Sequence, residues 1–200
     1  ENKPPPKSKE KFVINYSGSL TETRGIIDLV KAMELLPPTY KMQFLGNFHP
    51  SSLEAVCKSL PGWEKCEYLG RVPHSQIGQY IGSAHLGVQM THDIANYSGG
   101  IATKIFEYLV MGVPTLMSDT VERREQYGAM TNYAKPGDPR QIAIQIQNIK
   151  DNYDLVVQNT VIAKETVQEI YTWEKEAEKL ARTYIQLLDT SKDKVNDGFL

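Results

Sequence analysis

Long apolar runs and cysteines are scarce in this chain of 200 residues. No stretch approaches the eighteen or so apolar residues of a membrane-spanning helix, and the first ten residues lack the apolar core of a signal peptide. Neither Cys57 nor Cys66 has CxxC spacing or a nearby histidine pair, which disfavours both a zinc site and a disulfide framework. We therefore expect a cytoplasmic protein with reduced thiols; the alternative is peripheral association of the full-length protein with the inner face of the membrane.

A surplus of basic residues and several ligand-binding motifs are also absent. Lysine and arginine total 22 against 24 aspartate and glutamate residues, so nucleic acid is not an expected partner. The absence of GxGxxG and GxxxxGK[ST] disfavours binding of a dinucleotide or of ATP by those routes. There is no GxSxG motif to activate a serine, and His74, His85 and His92 lack metal-ligand spacing. The sequence thus gives no indication of a metal site or of a bound cofactor.

Short apolar runs alternate with amphipathic segments along most of the chain. The apolar runs, which we predict to be strands, are KFVINYSG, YKMQFLG, CEYLG, HLGVQM, PTLMS and AMTNYA. Between them, apolar residues recur at helical spacing, as in Ile26, Val30, Met33 and Leu36. This alternation predicts an α/β, Rossmann-like fold: an open parallel sheet of about six strands with helices on both faces.

The last third of the sequence is predicted to be helical. Asp138 is a candidate N-cap and Pro139 a candidate first helical residue. The last helix carries an apolar stripe made of Trp173, Ala177, Leu180, Tyr184 and Leu187. The composition of the ends predicts a proline-rich linker at residues 1–11, a single domain over residues 12–188 and a flexible polar tail at residues 189–200.

Glycine-containing turns mark where a ligand could bind, because open parallel sheets bind ligands at the carboxyl ends of their strands. Gly18 follows the first strand, and the turn Ser98–Gly100 immediately precedes a predicted helix. Backbone N–H groups at a helix start can hold a phosphate, and Arg24 could fold over a diphosphate. The alternatives are a tight turn that requires glycine and an ordinary solvated arginine.

Two charged residues follow the second glycine turn. Lys104 and Glu107 are three residues apart and share a helix face, where a carboxylate can accept hydrogen bonds from both hydroxyls of a ribose. The alternative is an ordinary ion pair worth about 0.2–0.5 kcal/mol. His92 and Asp93, in the loop after the fourth strand, are the one histidine–acid pair placed for acid–base or sugar-hydroxyl contacts.

Five segments occur in an order that resembles a known family, over about residues 12–188. They are GSLTETRG, MQFLG, CEYLGRVPHSQIGQYIGSAHLGVQM, TKIFEYLVMGVPTL and YAKPGDPRQIAIQIQNI. Together they are similar to the C-terminal domain of the retaining glycosyltransferases often called family 4 (glycosyl transferases group 1). The resemblance implies one half of a GT-B fold that binds a nucleotide diphosphate-sugar donor, without a metal. A glycan or lipid-linked acceptor would bind to an N-terminal domain outside this chain.

The resemblance also implies roles for individual residues. Glu107 would bind the ribose, Arg24 the diphosphate, and Arg71 and Val72 would lie beside the base. The remaining substrate-binding positions that it implies are Gly18, Ser19, Ser98, Gly99, Gly100 and Lys104. No residue of this chain is assigned as the catalytic group.

Two positions differ from the family pattern. The pattern has an acidic residue where this chain has Gly99, and an arginine where it has Ser19. These differences favour a different donor, reduced activity, or a non-catalytic module that kept the fold. A sugar-nucleotide epimerase of the same fold is a further alternative, whereas a Rossmann oxidoreductase is disfavoured by the missing GxGxxG.

Overall fold

A computed structural model describes residues 6–92 and 100–196, with side chains described up to residue 188. The chain divides into two compact units, Glu1–Lys164 and Glu165–Leu200. No helix in the described ranges is both long enough and apolar enough to cross a membrane. The predicted boundaries of the linker, the domain and the tail stay predictions.

The first unit contains one parallel sheet of six strands in the order β3-β2-β1-β4-β5-β6. The strands are β1 Phe12–Ser17, β2 Tyr40–Leu45, β3 Cys66–Gly70, β4 Leu86–Gln89, β5 Thr115–Ser118 and β6 Asn132–Ala134. Each of the six lies within one of the predicted apolar runs. The predicted parallel α/β fold is therefore confirmed.

Within residues 6–92 and 100–196, eight α-helices connect and follow these strands. They are α1 Ile26–Leu35, α2 Leu53–Lys58, α3 His74–Ser83, α4 Thr103–Val110, α5 Val121–Tyr127, α6 Pro139–Asp151, α7 Tyr153–Ile170 and α8 Trp173–Asn196. The Asp138 side chain accepts a hydrogen bond from the backbone N–H of Gln141, which confirms the predicted N-cap of α6. The region predicted to be helical after Asp138 thus consists of three helices.

The two faces of β1 contact different layers. Ile14 and Tyr16 belong to the large apolar core that also contains buried residues of α1 and α6. Asn15 and Ser17 instead form hydrogen bonds with the buried Tyr108 of α4. A central strand covered on both faces explains why FVINYS is buried along its whole length.

The helix α8, taken by itself, extends from Trp173 to Asn196. The helix thus continues beyond Leu188. The sequence permits this because no proline or glycine occurs between Trp173 and Gly198. The apolar stripe predicted on this helix is exposed: its four large members are all more than half accessible to solvent. They are Trp173, Leu180, Tyr184 and Leu187.

A small polar cluster lies at the amino-terminal ends of the strands, on the side that we call the amino-terminal edge of the sheet. The Nδ1 atom of His85 accepts a hydrogen bond of 3.0 Å from the backbone N–H of Val13, and the Tyr153 hydroxyl donates to the carbonyl of His85 at 3.1 Å. Lys7 donates to the Tyr153 hydroxyl at 2.8 Å. Burial, followed by the positive charges of Lys7 and Lys150, lowers the pKa of His85 below its ordinary value. This cluster attaches the segment that precedes β1 to the edge of the sheet.

Candidate functional site

Three glycines come together where the first three strands end. The N–H of Gly18 bonds to the carbonyl of Leu45, and the N–H of Gly46 bonds to the carbonyl of Gly70, each at 2.8 Å. A Cβ atom on Gly46 would lie 1.9 Å from the carbonyl oxygen of Gly18, and Gly46 has a φ of 133°. Only glycine fits at position 46, so the backbones approach closely at the carboxyl ends of these strands. We call this side of the sheet, where the strands end, its carboxyl edge.

A cleft of about 310 Å³ opens at this edge. It is lined by Ser17, Gly18, Leu45, Gly46, Arg71, Val72, Pro73, His74, Ile77 and Lys104. Four of these residues, Gly18, Arg71, Val72 and Lys104, were among the predicted binding residues. The others were missed, although Leu45 and Gly46 end the second strand, and the rule that ligands bind at carboxyl ends would have included them.

Arg24 lies beside the cleft on a 3₁₀ turn, Glu22–Arg24, that follows β1. The Thr21 hydroxyl caps this turn by accepting a hydrogen bond of 3.2 Å from the backbone N–H of Arg24. One terminal guanidinium nitrogen of Arg24 lies 3.4 Å from the position that a Cβ on Gly18 would take. The guanidinium therefore reaches the first glycine of the cleft. Ser19 is exposed, and its carbonyl accepts a hydrogen bond from the Tyr16 hydroxyl.

Lys104 and Glu107 form the ion pair that their spacing predicted. The Nζ atom of Lys104 lies 2.8 and 3.0 Å from the two carboxylate oxygens of Glu107. Lys104 lines the cleft, whereas Glu107 is connected to the cleft by its ion pair with Lys104. Both side chains are partly exposed, so the pair contributes little to stability, and either residue can take a ligand as partner instead.

The start of α4 is held by two side chains of α5. Arg123 donates from Nη1 to the carbonyl of Gly100 at 2.7 Å, and the Tyr127 hydroxyl accepts from the backbone N–H of Ala102 at 2.7 Å. Sequence reasoning missed both residues, because VERREQY carries no motif that distinguishes them from solvated helix residues. The predicted residues Ser98 and Gly99 lie outside the described residues, so only Gly100 of that turn can be placed.

Of the predicted pair His92 and Asp93, only His92 can be placed, since Asp93 lies outside the described residues. The Nε2 atom of His92 lies 2.5 Å from a carboxylate oxygen of Asp28 in α1. The backbone N–H of His92 donates to the carbonyl of Thr23 at 2.8 Å. His92 therefore connects the end of β4 to the turn that carries Arg24.

No group of three or more His, Cys, Asp or Glu residues in the ranges 6–92 and 100–188 is arranged to hold a metal ion. The two cysteines are unpaired, and burial raises the pKa of the Cys57 thiol to about 11 and that of the Cys66 thiol to about 12. Thiols with such pKa values are almost entirely protonated near neutral pH and are weak nucleophiles.

Comparison with known proteins gives one family and a consistent set of relatives. Residues 1–166 match the family described as glycosyl transferases group 1. The chain is 30% identical over 104 residues to the putative teichuronic acid biosynthesis glycosyltransferase TuaC of Bacillus subtilis (strain 168). That match covers 52% of this chain and 24% of TuaC.

Solved structures share the fold. The Anabaena protein Alr3699/HepE, in complex with UDP and glucose, superposes with a TM-score of 0.76 at 16% identity, over 88% of this chain and 49% of that one. The C-terminal domain of the group 1 glycosyl transferase LpcC from Francisella tularensis gives 0.66 at 14% identity, over 84% and 88%. The chain thus spans about half of HepE. By its sequence match and its fold, the chain belongs to the glycosyl transferases group 1 family.

Proposed function

We propose that this chain is the donor-binding domain of a glycosyltransferase and that it binds a nucleoside diphosphate-sugar in the cleft at the carboxyl ends of β1, β2 and β3. The observation that carries the proposal is the convergence of Gly18, Arg71, Val72 and Lys104 on one cleft, with Arg24 against Gly18. These residues come from three separate parts of the chain. Their meeting at the edge where parallel sheets bind ligands supports a binding role.

The charges around the cleft suit an anionic ligand. Arg24, Arg71 and Lys104 bring three cationic groups to its border, and bare glycine backbone lets a diphosphate come close to them. Glu107, once Lys104 turns to the phosphates, is available to accept hydrogen bonds from the ribose hydroxyls. Arg71 and Val72, which also line the cleft, would lie beside the base of the nucleotide.

The same groups define the chemical role of the domain. They would stabilise the negative charge that develops on the departing nucleoside diphosphate as the sugar is transferred. The transfer retains the anomeric configuration and needs no metal, as in the family 4 enzymes. A glycan or lipid-linked acceptor binds to a separate N-terminal domain, in the cytoplasm or at the inner face of the membrane. TuaC, whose name places it in teichuronic acid biosynthesis, supports a role in polysaccharide synthesis.

Calorimetric titration of the chain with UDP, GDP and ADP tests the binding step. UDP comes first, because HepE was solved with UDP bound. We expect one of the three to bind, and Glu107→Gln to weaken that binding about 10-fold or more, since a charged acceptor is lost. Glu54→Gln is the matched control, because Glu54 also forms a helical ion pair but lies on α2 away from the cleft. Absence of binding by all three nucleotides would overturn the proposal.

A second candidate is a module that binds the nucleotide but does not support transfer. The residues that favour it are Ser19 and Gly99, which stand where the family pattern has an arginine and an acid. An assay of the whole protein with a labelled donor separates the two functions. Transfer to an acceptor supports the enzyme, binding without turnover supports the module, and release of an epimerised free sugar supports an epimerase.

A further inference from the structure

Two buried side chains on one face of α5 hold the residues that begin α4. Arg123 and Tyr127 are four residues apart, and they are only 8% and 1% exposed. Arg123 donates to the carbonyl of Gly100, while Tyr127 accepts from the N–H of Ala102, both at 2.7 Å. The backbone is thus fixed on both sides of Ile101, by a charged donor at one peptide and a neutral acceptor at another.

The helix α5 is itself fixed to the sheet. The Thr120 hydroxyl caps its start by accepting from the N–H of Arg123 at 3.3 Å. The Tyr133 hydroxyl, from β6, contacts the carbonyls of Arg123 and Gly128 at 3.3 and 2.7 Å. The sheet therefore positions α5, and α5 in turn positions the start of α4.

The segment that is held controls two parts of the proposed donor site. Gly100 ends the turn predicted to face the phosphates, and Lys104 enters the cleft two residues after Ala102. A small displacement of Ala102 would move both Gly100 and the first residues of α4 relative to Gly18. Contacts with a diphosphate depend strongly on such displacements, because charged hydrogen bonds weaken when distance and angle are lost.

An ordinary packing role does not require this chemistry. A buried guanidinium is costly to desolvate, and an apolar side chain of similar size fills the same space at lower cost. Arg123 instead directs a donor at one specified carbonyl, and its neighbour Tyr127 directs a hydroxyl at one specified N–H. The guanidinium and the hydroxyl both bond to the backbone that leads into Lys104, while the Tyr127 ring packs against Phe106 of α4.

We propose that Arg123 and Tyr127 are positioning residues that hold the start of α4 in the conformation that binds the diphosphate of the donor. This inference rests on the donor-binding function proposed above. It assigns the two residues no contact with the sugar nucleotide. Their effect reaches the ligand through Gly100, Ala102 and Lys104.

Paired binding measurements test the proposal. The variant Tyr127→Phe keeps the ring, and with it the contact with Phe106 at 5.5 Å between ring centroids, but removes the acceptor for Ala102. We expect it to weaken binding of the nucleoside diphosphate that the wild-type chain binds most tightly by about 5–10-fold. Binding of the corresponding monophosphate should change less than 2-fold, since only the phosphate-facing backbone is displaced.

A matched control separates positioning from stability. Tyr153→Phe removes a half-buried phenol that donates to the carbonyl of His85 at the opposite edge of the sheet. It should lower the melting temperature about as much as Tyr127→Phe and leave the affinity for the diphosphate unchanged. Arg123→Lys, which keeps a donor for Gly100, should retain more affinity than Arg123→Met. If Arg123→Met does not fold, Tyr127→Phe and Arg123→Lys still decide the question.

The possible failures are distinct. If the wild-type chain binds none of UDP, GDP and ADP, both the donor-binding function and the positioning role are wrong. If it binds one of them and Tyr127→Phe binds it equally well, only the positioning role is wrong. Equal losses in Tyr127→Phe and Tyr153→Phe, or equal losses for the diphosphate and the monophosphate, would also overturn the positioning role.

Discussion

The ring of Tyr108 in α4 lies against the bare backbone of Gly87 in β4, where a Cβ atom would stand 2.3 Å from the Cγ of the ring. From this position the Tyr108 hydroxyl donates to Asn15 and accepts from the N–H of Ser17, at 3.0 and 3.1 Å. Burial raises the pKa of Tyr108 far above its ordinary value, so the hydroxyl remains a donor. One glycine thus allows α4 to pack closely enough to bond with β1, the strand that precedes Gly18.

Gly87→Ala should therefore destabilise the fold. The added methyl group meets a buried ring, and overpacking of this kind lowers the free energy of unfolding by about 1–3 kcal/mol. The control is Gly78→Ala in α3, where the nearest heavy atom to the new Cβ is 4.0 Å away. That change should raise the free energy of unfolding by about 0.5–1 kcal/mol. Urea titration followed by circular dichroism measures both, and equal stability of the two variants would contradict this packing.

The sequence was sufficient to predict the sheet. Strands such as Phe12–Ser17 are short apolar runs ended by glycine, and both signals are local. The N-cap at Asp138 and the ion pair between Lys104 and Glu107 were predictable for the same reason, because each joins residues three positions apart. Local spacing determines such contacts before any tertiary structure forms.

Contacts between residues distant in sequence could not be read in this way. The bond from Arg123 to Gly100 joins residues 23 positions apart, and nothing in VERREQY marks one arginine as buried and the next as exposed. The bond from Lys7 to Tyr153 spans 146 positions and attaches a segment whose composition predicted a linker. Which side chains meet in such cases depends on strand order and helix packing.

Gly46→Ala and Gly70→Ala should differ in severity although both glycines end strands beside the cleft. A Cβ on Gly70, with a φ of 64°, has no heavy atom within 4 Å, so only backbone strain of about 1–2 kcal/mol is expected. A Cβ on Gly46 meets the same kind of strain and also the carbonyl oxygen of Gly18. The melting temperature of Gly46→Ala should be well below that of Gly70→Ala. The opposite ranking would show that the carboxyl edge is not packed as described.

Lys104→Met should separate stability from binding. The ion pair with Glu107 is partly exposed, so its loss should change the free energy of unfolding by less than about 0.5 kcal/mol. Nucleotide affinity should nevertheless fall about 10-fold, because a cation that faces the diphosphate is removed. Lys58→Met breaks the comparable pair with Glu54 on α2 and should leave affinity unchanged. Calorimetry on the two variants gives the answer, and unchanged binding by Lys104→Met would remove this residue from the site.

Stability should fall in mildly acidic solution through His85. Its pKa in the folded protein lies below the ordinary value of 6.5, so the unfolded chain binds the additional proton more readily. The stabilisation is therefore complete above about pH 6.5 and is lost as the pH falls from 6.5 towards the lowered pKa. Protonation would also remove the acceptor for the N–H of Val13.

The variant His85→Asn tests this assignment, because an amide oxygen can take the place of Nδ1 as acceptor and does not titrate. Unfolding free energy measured from pH 5 to 8 should depend less on pH in His85→Asn than in the wild type. A His85→Asn profile as steep as the wild type would mean that other groups cause the pH dependence.

The most direct test of the central claim is to map the bound nucleotide by its effect on backbone amide chemical shifts. Titration of the isotope-labelled chain with the nucleoside diphosphate that it binds should produce the largest shifts at Gly18, Gly46 and Lys104. A second cleft, of about 510 Å³ and lined in part by Lys31, Lys135, Gly137 and Arg140, also carries cationic residues and provides an internal comparison. Largest shifts in that second cleft, with none at Gly18 or Gly46, would contradict the proposed donor site.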